Sequence, residues 1–288
     1  MRDFAARTQF ERLNEAAARM VLRARSLLGH RNYQRFVIVG VARTGSTLLL
    51  NLLNAHPAVI AFGELFRGDG AIGWDIPPFL TERSFRFRQM ADTQPLEFLE
   101  NAVFCRWPRE IAAVGFKLFY YHARSGPQAM VWDHLRDEPG LAIIHIKRHN
   151  ILEQYISLRV AHATNVWSTA KQPDGTAAPM SLSPEDCLRH FEEVRAQEEA
   201  CDAFFQGSRI LTLAYEDLVA DRASALRTVG AHLALSLESA KPRIVRQRTQ
   251  PLSSAIANYD ELREFFAGSA WESFFRQPDT LVLGQRAA

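Results

Sequence analysis

A short apolar run, Phe36-Val37-Ile38-Val39, leads directly into Gly40-Val41-Ala42-Arg43-Thr44-Gly45-Ser46-Thr47, and a leucine-rich segment begins at Leu48. Strand, glycine-bearing loop and helix in that order make a cradle where backbone N–H groups of the loop and of the helix N-terminus converge on an anion. Such a unit directs the chain toward an α/β architecture, with the strand buried and the loop opening at its C-terminal end. The loop departs from the nucleoside-triphosphatase pattern G-x-x-x-x-G-K-[ST] at one decisive position. Ser46 stands where the lysine should be, and the nearest cation is Arg43, inside the loop. An ordinary strand-to-helix turn could use the same residues, so the rest of the chain has to discriminate.

Further apolar runs recur at residues 114–119, 141–146 and 209–213, separated by helix-like segments such as 151–163 and 184–205. Continuous rather than alternating apolarity suits strands covered on both faces, hence a mostly parallel sheet flanked by helices. The polar residues that break the pattern fall at the strand ends. Lys117 lies in the second run with His122 just beyond it, and Lys147-Arg148-His149-Asn150 closes the third. A P-loop kinase usually ends such a strand in an aspartate that holds the Mg²⁺ shell. Here the strand end is basic, which anticipates a second anion in place of a metal. Residues 171–184, with Gly175 and three prolines, read as an exposed loop.

With 288 residues, 47% of them apolar, the chain can bury one large core without disulfides or metals as staples. A formal charge of +2 makes no demand for nucleic acid. Cys105, Cys187 and Cys201 fit no zinc or redox spacing and read as thiols in a reducing compartment. Residues 1–30 show apolar positions at helical spacing with arginines interleaved, an amphipathic helical extension preceding a domain over 31–288. That extension suits packing on the domain, on a partner subunit as in a homodimer, or on a membrane surface. No run approaches the roughly 18 residues of a membrane span, and a cytoplasmic protein is expected.

Taken in order, several motifs resemble the sulfotransferases that use 3′-phosphoadenosine-5′-phosphosulfate. They are the loop Arg43-Thr44-Gly45-Ser46-Thr47, His56-Pro57, Phe62-Gly63-Glu64-Leu65-Phe66 and Gly115-Phe116-Lys117-Leu118. Arg148-x-Asn150-x-Leu152-x4-Ser157, Tyr215-Glu216-Asp217-Leu218, and Pro251-Leu252 with Asn258-Tyr259-Asp260-Glu261-Leu262 complete the set. The resemblance runs over roughly residues 35 to 265 and is closest to bacterial glycan and glycolipid sulfotransferases of the trehalose and nodulation-factor type. It implies a P-loop-like three-layer α/β fold and a carbohydrate or glycolipid acceptor, with peripheral membrane contact where the acceptor is a lipid.

The same resemblance implies the roles of individual residues. Arg43, Thr44, Gly45, Ser46 and Thr47 would hold the 5′-phosphosulfate, and Arg148 with Ser157 the 3′-phosphate. Ser157 stands nine residues after Arg148, one more than in many members, so Lys147 or Asn150 could share that contact. Glu64 would be the catalytic base, and its flanks Phe62, Leu65 and Phe66 should partly desolvate it, which favours proton acceptance. His122 is the rival base, and Lys117 would touch sulfuryl or phosphate oxygens. Tyr215-Glu216-Asp217-Leu218 reads as structural, capping the helix it opens. A sulfuryl group carries less charge than a phosphoryl group, so its transfer can be stabilised by Arg43, backbone N–H groups and hydroxyls, with no metal. A small-molecule kinase and a non-catalytic nucleotide-binding module remain the alternatives.

Overall fold

The computed structural model describes residues 29–68, 71–73, 85–167, 178–237 and 251–276. Residues 1–28 of the amphipathic extension and residues 171–177 of the loop at 171–184 lie outside them. The chain divides into two compact units, Met1–Lys147 with Gln197–Arg243, and Arg148–Ala196 with Ile244–Ala288.

The first unit is built on a five-stranded parallel sheet: β1 Gln34–Gly40, β2 Val59–Glu64, β3 Ala113–Phe119, β4 Ala142–Lys147 and β5 Ile210–Ala214, in the order β2-β3-β1-β4-β5. Four of these strands coincide with the apolar runs. Val59–Glu64, which carries a glycine and ends on a carboxylate, is the strand that the apolar pattern did not reveal. Gly115 has a packing reason: any Cβ there would collide with the carbonyl and ring of Phe36 on the neighbouring β1.

Helices cover the sheet on both faces, as continuous apolar strands require. On one face Phe36, Ile38, Ile144 and Ile146 form a core with Leu49, Leu52 and Leu53 of α1 (Ser46–Asn54). Leu218 of the helix at Tyr215–Ala220 joins them, as do Leu226, Val229 and Leu233 of the helix at Arg222–Leu233. On the other face Phe116 meets Phe66 and Phe104, with ring centroids 5.8 and 6.2 Å apart. Between these elements lie α2 (Phe85–Thr93), the short α3 (Pro95–Phe98) and α4 (Met130–Asp137). At the start of β1, Arg35 bridges Glu100 (2.7 Å) and Glu138 (3.1 Å). The guanidinium thereby sits against both carboxylates of the Glu100, His134, Glu138 group, the trio of metal-type ligands found among the described residues.

The second unit is helical, around α5 (Ile151–Thr164), the N-terminal part of α6 (Pro184–Phe204), and the short helices after Pro251. Phe191 packs on Phe266, Trp271 and Phe274. Asn258 clamps Leu182 through its backbone N–H (3.0 Å) and carbonyl (2.8 Å). Numbering the helices onward, α7 is Tyr215–Ala220, α8 Arg222–Leu233, α9 Leu252–Ala255 and α10 Tyr259–Phe265.

Candidate active site

The loop after β1 has the backbone that an anion cradle needs. Gly45, at φ 85° and ψ 6°, is the N-cap of α1, and Arg43 also sits in the left-handed region at φ 70°. A glycine adopts that region freely, whereas for an arginine it costs about 1–2 kcal/mol. Thr44 is fully buried and its hydroxyl donates to the Val41 carbonyl at 2.8 Å. The Thr44 hydroxyl thereby closes the turn. Ser46 is buried at the start of α1. Sequence reasoning missed one contributor. The ring of Tyr215, at the start of α7, lies where a Cβ on Gly45 would stand, so it packs under the loop. The spacing of a motif after β5 carries no signal of that contact.

Strand register brings the other residues to the loop. Between Phe62 and Glu64 the β2–β3 pairing shifts, so that Glu64 rather than Gly63 stands opposite Lys117. Such a bulge re-aims a side chain, and here it turns the carboxylate toward the lysine. Gly73 lines the outer side of the same segment, its carbonyl accepting from Gly63 N–H at 2.8 Å and its N–H donating to the Glu64 carbonyl at 2.7 Å. Lys117 Nζ lies 2.9 Å from Glu64 Oε1 and donates to Thr47 Oγ1 at 3.1 Å. A single buried ammonium, 5% exposed, thus ties the carboxylate to the phosphate loop. Burial pushes that ammonium below the usual lysine range, with the Glu64 charge opposing the shift. Glu64 itself keeps 21% of its side chain open, and Arg67 Nε reaches its Oε2 at 3.9 Å.

His122 lies beside the same carboxylate, Nε2 to Oε2 3.8 Å. Its Nδ1 accepts the Phe119 backbone N–H at 3.2 Å. A neutral imidazole has one acceptor nitrogen, so with Nδ1 engaged the proton sits on Nε2, the nitrogen facing Glu64. In that tautomer His122 offers no lone pair toward the carboxylate side.

Arg148 and Ser157 belong to the second unit. Arg148 is buried and ion-paired with Glu153, in the first turn of α5. Ser157 is one turn beyond Glu153, the i,i+4 position, and so shares its face. Asn150 caps α5, its side chain accepting the Glu153 N–H at 2.9 Å and donating to the Phe274 carbonyl at 3.0 Å. Lys147 pairs with Asp202 at 2.5 Å.

Known proteins resemble this chain over most of its length. The family model described as Stf0 sulphotransferase matches residues 120–259. Nodulation protein H of Rhizobium tropici is 29% identical over 252 residues, covering 85% of this chain and 94% of that protein. Its counterpart in Rhizobium meliloti (strain 1021) is 29% identical over 255 residues, 84% of this chain and 95% of that one. Among solved structures, a sulfotransferase from Alicyclobacillus acidocaldarius is 16% identical with a TM-score of 0.47, covering 85% of this chain and 96% of that one. The resemblance read from the motifs is thus the one that the family model and both relatives return, and they indicate a sulfotransferase.

Proposed function

We infer that the enzyme transfers the sulfuryl group of 3′-phosphoadenosine-5′-phosphosulfate in line to a hydroxyl of a carbohydrate or glycolipid. Glu64 accepts the hydroxyl proton as the new O–S bond forms. The bond from sulfur to the bridging phosphate oxygen breaks, and its electron pair stays on the phosphate. The backbone of residues 43–47, with Arg43, Ser46 and Thr47, holds that phosphate, and Lys117 stabilises the charge gathering there. Arg148 and Ser157 are assigned the 3′-phosphate by their place in the motif. The products are a sulfate ester and adenosine 3′,5′-bisphosphate.

The observation that carries this reading is the Lys117 bridge, which sets a partly open carboxylate beside a phosphate loop that lacks the lysine an ATP site requires. A kinase is disfavoured by Ser46 and by the basic end of β4. The acceptor class rests on the resemblance to glycan and glycolipid sulfotransferases, and a cytoplasmic location suits three free thiols. The test is a screen of saccharides, glycolipids and phenols with labelled donor in the presence of a chelator. Labelled saccharide esters are expected. Turnover of phenols alone would reassign the acceptor, and phosphate transfer from ATP with Mg²⁺ would replace the reading altogether.

A further inference from the structure

An aromatic ring stands open beside the proton-accepting carboxylate. Tyr121, in the turn that follows β3, is 52% exposed although most large apolar side chains of its unit are buried. Its ring is held from two directions: Phe119 at a centroid distance of 5.6 Å and 49°, and His122 at 4.8 Å and 81°. His122 in turn lies 3.8 Å from Glu64 Oε2. Tyr121 and the Glu64 carboxylate thus neighbour the same imidazole.

We propose that Tyr121 is an acceptor-contacting residue, its open ring face seating the C–H face of a saccharide so that a hydroxyl of that sugar reaches Glu64. The inference rests on the carbohydrate reading above and adds the residue that selects for it. A pyranose has apolar C–H faces and a polar rim, and tyrosine matches it with an apolar body and a polar tip. Because Phe119 and His122 already fix the ring, little side-chain freedom remains to be lost when the sugar binds. At neutral pH a tyrosine hydroxyl keeps its proton and can donate to the sugar rim.

The test compares wild type with Tyr121→Phe, Tyr121→Leu and Tyr121→Ala, measuring acceptor KM, kcat and donor KM on the best saccharide from the screen, with a melting curve for each protein. Tyr121→Phe keeps the platform and should stay within about threefold of wild type. Tyr121→Ala and Tyr121→Leu should raise the acceptor KM about tenfold or more, with donor KM unchanged. The two non-aromatic variants differ in bulk, so if one fails to fold the other carries the comparison. An unchanged acceptor KM in either, or a loss confined to donor KM, overturns the proposal while the carbohydrate reading stands. If wild type sulfates no saccharide, the carbohydrate reading fails first and this inference falls with it.

Discussion

At the scale of the residue, the site turns on which group takes the proton and which backbone positions are costly. Glu64→Gln removes the acceptor but keeps the shape, and a positioned base acts mainly in the transition state. Turnover should fall by on the order of 10²–10⁴ while binding of adenosine 3′,5′-bisphosphate changes little. His122→Ala should cost less; if it stops turnover and Glu64→Gln does not, the base is His122. Arg43 offers a separable effect. With φ at 70°, Arg43→Gly should relieve strain and stabilise the fold by about 0.5–1 kcal/mol, seen as a higher Tm. The same change removes the loop cation and should lower kcat. Gly45→Ala, in contrast, meets both a positive φ and the Tyr215 ring, and should damage donor binding.

At the scale of the element, the expected 3′-phosphate ligands bracket the start of α5, Arg148 just before it and Ser157 within it, with Glu153 of its first turn between them in the chain. Glu153 pairs with the Arg148 guanidinium. A 3′-phosphate must compete for that guanidinium, so Glu153→Gln should tighten binding of adenosine 3′,5′-bisphosphate. Arg148→Ala should weaken it by roughly 1.5–3 kcal/mol, about 10- to 100-fold, the range for a lost charge-assisted contact. AMP, which lacks that phosphate, should respond to neither. Calorimetry with both nucleotides on the three proteins decides the matter, and equal losses for AMP would remove Arg148 from the site.

At the scale of the whole molecule, each unit carries a histidine that the fold keeps neutral. Burial, with Lys147 beside it, pushes His145 down to about 4, although Asp202 Oδ1 lies 2.8 Å from its Nδ1. Its Nε2 is 2.5 Å from the Tyr120 hydroxyl. His190, stacked on Tyr155, is likewise pushed down to about 4 by burial. Both take up a proton in the unfolded chain near pH 6.5 and resist it in the native fold. Their stabilisation is therefore complete above about pH 6.5 and lost as pH falls toward 4. For His145, fully buried, that loss is on the order of 3 kcal/mol. Melting temperature against pH should fall through this window, and His145→Gln should flatten the slope; a flat wild-type profile would contradict the assignment.

The amino-acid order by itself determined the sheet strands that are apolar throughout, the loop between β1 and α1, and the basic end of β4. These are local statements: burial on both faces writes a continuous apolar run, and a strand-to-helix turn writes its glycines. Through the resemblance it also named Glu64, Lys117 and Arg148 as expected site residues. Val59–Glu64 escaped notice as a strand because Gly63 and Glu64 interrupt its apolar run, and the reason for that interruption is tertiary. The shift at Gly63 exists only against β3, and it alone sets Glu64 opposite Lys117. In the same way the support of Gly45 depends on a ring that arrives from beyond β5, at Tyr215. Hydrogen bonds and packing between segments so distant in the chain leave no periodicity behind, and only the folded structure decides them.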